Sequence, residues 1–219
     1  MAVLKNHPMS EVPIAALDSQ LQKQVESARS ALDRGRPEQA LELCHSVLAA
    51  QPDCLQVRKL ERAAQLKFAA IRRSLVSRWV SAVSTAPFLL NGNLKLKDDP
   101  RSALATAERL LRRDPHSVAA LNLLGQSATE LGWIETAIFA HETASDLEPD
   151  RMDLLLSLGR AYLAAARGSD AVETANQALK LQPASSDAQS LLQDALVAVS
   201  VMNGKWEQEG GSRGKLPGN

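Results

Sequence analysis

An interval of 34 residues recurs in the second half of the chain and limits its fold more than any other feature. Six residues between positions 124 and 149 have an identical residue 34 positions later. The pairs are Leu124 and Leu158, Gly125 and Gly159, Ala137 and Ala171, Ala144 and Ala178, Leu147 and Leu181, and Pro149 and Pro183. Earlier segments repeat part of the pattern, as Ala40, Val47 and Pro52, and as Ala103, Leu110 and Pro115. Because the proline follows the alanine by twelve residues in all four copies, the pattern predicts an array of structural repeats.

Each period has the features of two short helices joined by a turn. Leu121, Leu124 and Ala128 are spaced to lie on one face of a helix. Small residues such as Gly125 and Ala137 allow the two helices of a unit to approach closely. A proline near the end of the second helix stops it, because proline lacks a backbone donor. A period of 34 with small residues at these offsets is the signature of the tetratricopeptide repeat, and the sequence resembles that family.

The resemblance implies an all-α fold of helix-turn-helix tetratricopeptide repeats stacked as a right-handed α-solenoid, with a degenerate middle unit and a C-terminal capping helix. The expected boundaries are an N-terminal extension over 1–17, partly disordered, the solenoid over 18–202 and a disordered tail over 203–219. Within the solenoid we expect clear units at 20–53, 118–151 and 152–185, degenerate units over 54–117 and the cap helix over 186–202. Asp150 and Ser185 are expected to cap the helices that follow them. The later units are also similar to those of bacterial repeat proteins.

The middle of the chain departs from the period. Pro52 and Pro115 are 63 residues apart, five fewer than two full periods, which predicts a deformed unit. No proline or glycine occurs between Asp53 and Ala86, and apolar residues recur there at helical spacing. The sequence leaves open whether residues 54–84 form one long helix or two.

Composition and motifs argue against catalysis. Only two cysteines are present, Cys44 and Cys54, too few for a disulfide framework or a cysteine metal site, so we expect them to be reduced. The histidines form no metal-binding motif, and neither a phosphate-binding loop nor a cofactor site is evident; they are His7, His45, His116 and His141. His141 takes the repeat position of Cys44, which favours a packing role. The chain is expected to be non-enzymatic, without cofactors.

No segment of the sequence has the features of an export signal or a membrane anchor. The first residues lack a long apolar run, and the longest uncharged stretch, between Arg78 and Lys95, is shorter than the roughly 20 residues of a spanning helix. We therefore expect a cytoplasmic protein that does not insert into membranes.

Charge is unevenly distributed along the chain. Residues 55–116 hold 13 Lys and Arg against five Asp and Glu, whereas residues 117–200 hold four against eleven. The basic part either forms solvated helix faces or attracts an acidic partner. The candidate residues for the acidic partner are Arg58, Lys59, Arg62, Arg72, Arg73 and Arg78. Nucleic acid is not expected, because Phe68 and Trp79 belong to an apolar stripe and cannot stack on bases.

The resemblance implies a function in binding rather than chemistry. In this family the first helices of the units line a concave groove, and a protein or peptide laid along it would make this chain an adaptor or scaffold. The candidate groove residues are Asn122, Gln126, Thr129, Glu130, Asp153, Leu156, Arg160 and Leu163. Some family members bind carboxylate-ended tails through several Lys and Arg residues, but here Ala119 and Asp153 stand at positions where cations are needed.

The alternative function is self-assembly, in which the basic residues 55–116 of one molecule meet the acidic residues 117–200 of another. Weak self-association is left open, as are the partner, the pathway and the oligomeric state. Trp206 either packs on the cap helix or serves as a docking residue.

Overall fold

The computed structural model describes residues 11–72 and 95–211, and all the regular elements in those ranges are helical. A short 3₁₀ helix at Ile14–Ala16 precedes nine α-helices in the described part of the chain. They are α1 (Ser19–Asp33), α2 (Pro37–Ala50), α3 (Leu55–Arg72), α4 (Pro100–Arg113), α5 (Val118–Glu130), α6 (Ile134–Leu147), α7 (Met152–Ala164), α8 (Gly168–Leu181) and α9 (Ser186–Gly211). The expected all-α fold of helix-turn-helix repeats is confirmed.

The chain divides into an N-terminal unit, Met1–Ala140, and a C-terminal unit, His141–Asn219, and the division falls within α6. In the N-terminal unit α2 packs against α1 and α3, α1 also contacts α3, and α4 packs against α5. Ala28, Val47 and Val57 have no more than 1% of their surface exposed in the core of these helices. Each helix therefore packs on its neighbours along the chain, as expected for stacked repeats.

The irregular middle of the chain holds a single pair of helices. Arg58 of α3 forms an ion pair with Glu108 of α4, and Arg62 of α3 donates a hydrogen bond to the carbonyl of Pro115. Because α3 and α4 pair as first and second helices, the 63 residues between Pro52 and Pro115 contain one period of 34 and 29 further residues. Sequence analysis had expected degenerate units over 54–117. The choice between one long helix and two depends on residues 73–94, which lie outside the described residues.

In the C-terminal unit α8 packs against both α7 and α9, and α9 also contacts α7. A Cβ atom on Gly159 would lie 2.5 Å from Cδ2 of Leu191, so this glycine allows α7 to approach α9. Sequence analysis had assigned the close approach at Gly159 to the two helices of one unit. The capping helix is longer than the expected 186–202, because α9 continues to Gly211; residues 212–219 of the expected tail lie outside the described residues.

Three turns between paired helices place one residue in the left-handed backbone region. Gly35 has φ of 71°, Gly132 of 77° and Ala166 of 58°. In the turn after α5, the N–H of Trp133 donates to the carbonyl of Ala128 at 2.8 Å. The N–H of Arg167 donates to the carbonyl of Tyr162 in the same way, which satisfies a free carbonyl at the end of α7.

Side chains cap several helices, and one of these caps comes from far along the chain. Ser185 accepts a hydrogen bond from the N–H of Ala188, as expected, whereas α7 is preceded by Arg151 without a side-chain cap, so Asp150 does not cap it. The carboxylate of Glu11 accepts from the N–H groups of Glu135 and Thr136 at 3.0 and 2.8 Å. The N-terminal extension is thus attached to α6 from Glu11 onward, and its residues 1–10 lie outside the described residues.

Candidate functional site

Four of the expected groove residues lie on one face of α5 in the N-terminal unit, since Asn122, Gln126, Thr129 and Glu130 follow helical spacing. Asn122 and Gln126 are half-buried, and Thr129 and Glu130 are exposed. The Oδ1 atom of Asn122 is buried and accepts no hydrogen bond from the described residues. Because an unsatisfied buried acceptor costs about 1–3 kcal/mol, this oxygen is suited to accept from an incoming N–H donor.

The other four groove residues lie on α7 in the C-terminal unit and differ in availability. Leu156 is only 8% exposed and packs with Ala175 in the core, so it is not available as the expected apolar contact. Leu163 is half-buried against the same core. Asp153 is exposed, but Arg151 donates to both of its carboxylate oxygens, at 3.0 and 2.5 Å.

Arg160 is the groove residue of α7 best placed to bind a partner. Its side chain is exposed, and no hydrogen bond or ion pair joins it to another residue in the described part of the chain. Asp153, in contrast, is neutralised within α7: the hydrogen bonds from Arg151 lower the pKa of its carboxyl group. The polar face of α7 therefore carries one free cation.

The expected basic patch is reduced by burial. Arg58 and Arg62 are only 3% and 8% exposed, because their guanidinium groups are bonded inside the N-terminal unit, so they cannot attract an acidic partner as expected. Lys59 is exposed, with Nζ 5.5 Å from the centre of the Phe139 ring. Arg72 is the last residue of α3. Arg73 and Arg78 lie outside the described residues.

The two buried arginines belong to a polar network that sequence reasoning missed. Arg58 donates to the carboxylate of Glu108 and to the carbonyl of Pro52. Burial, and then the charge of Glu108, raise the pKa of Glu61 to about 7. Burial also lowers the pKa of Arg62. Spacing alone places Arg58, Glu61 and Arg62 on neighbouring turns of α3, but it gives no sign that α4 covers them.

The cysteines and His141 are packing residues. Cys44 and Cys54 are buried free thiols, and burial, followed by the charge of Glu61, raises the pKa of Cys44 to about 12. Such a thiol stays protonated at neutral pH and is a poor nucleophile. His141 is 2% exposed, and burial lowers its pKa to about 4.

Searches for a metal site and a membrane span were limited to the described residues. Within 11–72 and 95–211, no three His, Cys, Asp or Glu side chains are placed to hold a metal ion. In the same ranges no helix has both the length and the apolar character needed to cross a membrane. The side chain of Trp206 lies outside the described part, so its two expected roles stay open.

Two family models described as tetratricopeptide repeat match the chain. One covers residues 97–145 and the other residues 128–195. Together they include α4 to α8 and most of the packed part of α9. A search of curated proteins by sequence found no match.

Solved structures with a similar fold include two in complex with peptides. The first tetratricopeptide domain of Spaghetti (RPAP3), bound to the HSP90 peptide SRMEEVD, is 17% identical with a TM-score of 0.50, over 53% of this chain and 93% of that one. The TPR2AB domain of yeast Sti1, in a pHSP90 complex, is 16% identical with a TM-score of 0.50, over 80% of this chain and 69% of that one.

An enzyme also contains a similar fold. A mutant of the O-GlcNAc transferase of Thermobaculum terrenum is 24% identical with a TM-score of 0.50, over 56% of this chain. The match spans only 23% of the transferase chain. At these identities the three structures establish the similarity of fold alone.

Proposed function

Since the chain belongs to the tetratricopeptide repeat family, we propose that it is a non-enzymatic adaptor or scaffold that binds a protein or peptide partner through the groove lined by the first helices of its repeats. The observation that carries the proposal is the unsatisfied Oδ1 of Asn122 on the first helix α5. A peptide backbone has N–H donors at regular intervals, and one of them can satisfy this oxygen. Gln126, one turn further along α5, offers a second amide to the same backbone.

Arg160 supports a preference for a partner with a carboxylate. Its guanidinium group is exposed and unpaired within the described residues, and guanidinium binds carboxylates through two parallel hydrogen bonds. Tight binding of a carboxylate-ended tail by several cations is not part of the proposal, because Asp153 on the same helix is acidic and already paired with Arg151. We expect an internal peptide segment with one acidic side chain.

The test is a binding experiment on the full chain. A peptide selected from a display library against the wild-type chain is titrated into wild type and into an Arg160→Glu variant. We expect the variant to bind more weakly by about 2 kcal/mol or more, because a carboxylate would face a carboxylate. Its free energy of unfolding should change by less than about 0.5 kcal/mol, because the side chain is exposed.

Two further variants serve as controls. Lys180→Glu makes the same charge change on an exposed residue of α8 and should leave the affinity unchanged. Ala137→Leu, at a position with 0% exposure, should lower stability by about 1–3 kcal/mol through overpacking and affect binding only through misfolding. If Arg160→Glu binds every selected peptide as tightly as wild type does, the groove is not the binding site.

A further inference from the structure

A second candidate site lies in the C-terminal unit, on a different face of α7 from Arg160. A cleft of about 490 Å³ opens between the end of α6, α7 and α8. Pro149, Leu155 and Leu158 form apolar parts of its wall. Its volume falls within the range of sites that hold small ligands or side chains of a partner.

Four carboxylates line this cleft, and two of them have no partner. Glu142 accepts a hydrogen bond from the hydroxyl of Tyr162 at 2.7 Å, and Asp170 accepts from Arg167 at 2.6 Å. Asp146 and Glu173 are exposed and form no hydrogen bond or ion pair with other described residues. The cleft therefore carries uncompensated negative charge beside an apolar wall.

Ser145 gives a separate indication that the cleft holds a donor. Its side chain lines the cleft, has only 9% of its surface exposed, and its Oγ atom is buried without a hydrogen-bond partner in the described part of the chain. A serine in a helix has the carbonyl one turn earlier within reach as an acceptor, and here that bond is not made. The hydroxyl oxygen is consequently free to accept from a bound N–H group.

The chain itself shows how this cleft accommodates a guanidinium group. Cζ of Arg167 lies 4.5 Å from the centre of the Tyr162 ring, while its Nε donates to Asp170. Tyr162 and Asp170 both line the cleft. A flat cation is thus held at the edge by one aromatic face and one carboxylate, a combination suited to guanidinium.

We propose that this cleft binds the guanidinium group of an arginine on a partner protein, with Asp146 and Glu173 as counter-ions and Ser145 Oγ as an additional acceptor. Guanidinium fits better than ammonium, because it has five donors in a plane and packs its faces on apolar walls. The surplus of acidic residues between positions 117 and 200 also attracts cations to this part of the chain. The site is independent of the proposed groove.

The test uses three capped tripeptides, Gly-Arg-Gly, Gly-citrulline-Gly and Gly-Lys-Gly, titrated into the full isotope-labelled chain at low salt. Amide chemical shifts of Ser145, Asp146 and Glu173 report binding. We expect the arginine peptide to shift these signals and to bind at least about tenfold more tightly than the citrulline peptide, which has the same shape without the charge. No shift with the arginine peptide, or equal binding of citrulline or lysine, overturns the proposal.

Variants separate this site from general attraction of cations. Combining Asp146→Asn with Glu173→Gln should weaken the arginine peptide at least about tenfold, whereas combining Asp150→Asn with Asp194→Asn removes two exposed charges outside the cleft and should leave affinity within about twofold. Ser145→Ala should weaken binding several-fold without lowering the midpoint of unfolding, because its Oγ has no partner in the described part. Equal losses in the two double variants, or wild-type binding by Ser145→Ala, would contradict the site.

Discussion

Ala166 occupies a backbone conformation that its side chain disfavours. Its φ of 58° lies in the left-handed region, where the equivalent turns after α1 and α5 have Gly35 and Gly132. The Cβ atom of an L-residue in this region lies too close to the following carbonyl, at a cost of about 1–2 kcal/mol. The turn keeps this conformation because Arg167 and Ala166 both donate to carbonyls at the end of α7.

Replacing Ala166 with glycine should therefore stabilise the chain. We expect Ala166→Gly to raise the free energy of unfolding by about 1 kcal/mol, since relief of the strain exceeds the added flexibility of the unfolded chain. Ala165→Gly is the matched control, because Ala165 has φ of −82° and should lose about 0.5–1 kcal/mol. Urea unfolding of both variants measures the two effects, and a loss of stability in Ala166→Gly would contradict the strain.

Buried His141 should make the chain sensitive to acid. Its pKa is about 4 in the folded chain and near 6.5 when unfolded, so the unfolded chain binds the proton more readily between these values. Stability is thus present above pH 6.5 and lost as pH falls toward 4, by about 2 kcal/mol at pH 5. His141→Leu should remove this loss in urea titrations between pH 7 and 5, and an unchanged pH dependence would contradict the assignment.

Glu61 should act in the opposite direction. Its pKa is raised from 4.5 to about 7, so the folded chain binds the proton more readily than the unfolded chain. Its contribution is present below pH 4.5 and is lost as pH rises toward 7. Glu61→Gln, measured in the same titrations, should remove the loss on raising the pH. A slope identical to that of wild type would show that Glu61 is not buried beside Glu108.

At the scale of elements, the start of α6 depends on a residue more than 120 positions earlier. The first N–H groups of a helix have no partner within the helix, and Glu11 accepts from those of Glu135 and Thr136. Its negative charge also lies at the positive end of the helix dipole. The segment from Val12 is held nearby, since Val12 donates to the carbonyl of Asp53 at 3.0 Å.

Removing this cap should loosen both α6 and the N-terminal segment. Glu11→Ala should lower the free energy of unfolding by about 1–2 kcal/mol and speed amide hydrogen exchange at Glu135 and Thr136. Glu26→Ala removes an exposed carboxylate paired only with Arg29 and should cost less than about 0.5 kcal/mol. Unchanged exchange at the two amides would show that Glu11 does not cap α6 in solution.

At the scale of the whole molecule, the unequal charge of the two halves predicts a dependence on salt. Self-assembly through residues 55–116 and 117–200 would give an oligomer at low ionic strength that dissociates as salt screens the charges, with a screening length of about 10 Å at 0.1 M. The burial of Arg58 and Arg62 leaves fewer cations for this contact. Sizing chromatography at low and high salt tests it, and a monomer at low salt excludes the assembly.

The sequence by itself determined the all-α repeat fold and the positions of most helices. The residues behind that result, such as Ala137 and Ala171 or Pro149 and Pro183, act within one unit or between adjacent units, so their spacing is visible along the chain. Ala137 and Ala171 are indeed fully buried, as their small size predicted. The polar positions of α5 and the exposed Arg160 followed from the same period.

Only the tertiary structure decided which charged residues are covered and which stay available. Arg58 lies 50 positions from Glu108, and Glu11 lies 125 positions from Thr136, so no local pattern links either pair. The unpartnered Ser145 and the free carboxylates of Asp146 and Glu173 come together because α6 and α8 converge beside α7. Helical period fixes which face a residue lies on, but burial and pairing depend on the element that packs against that face.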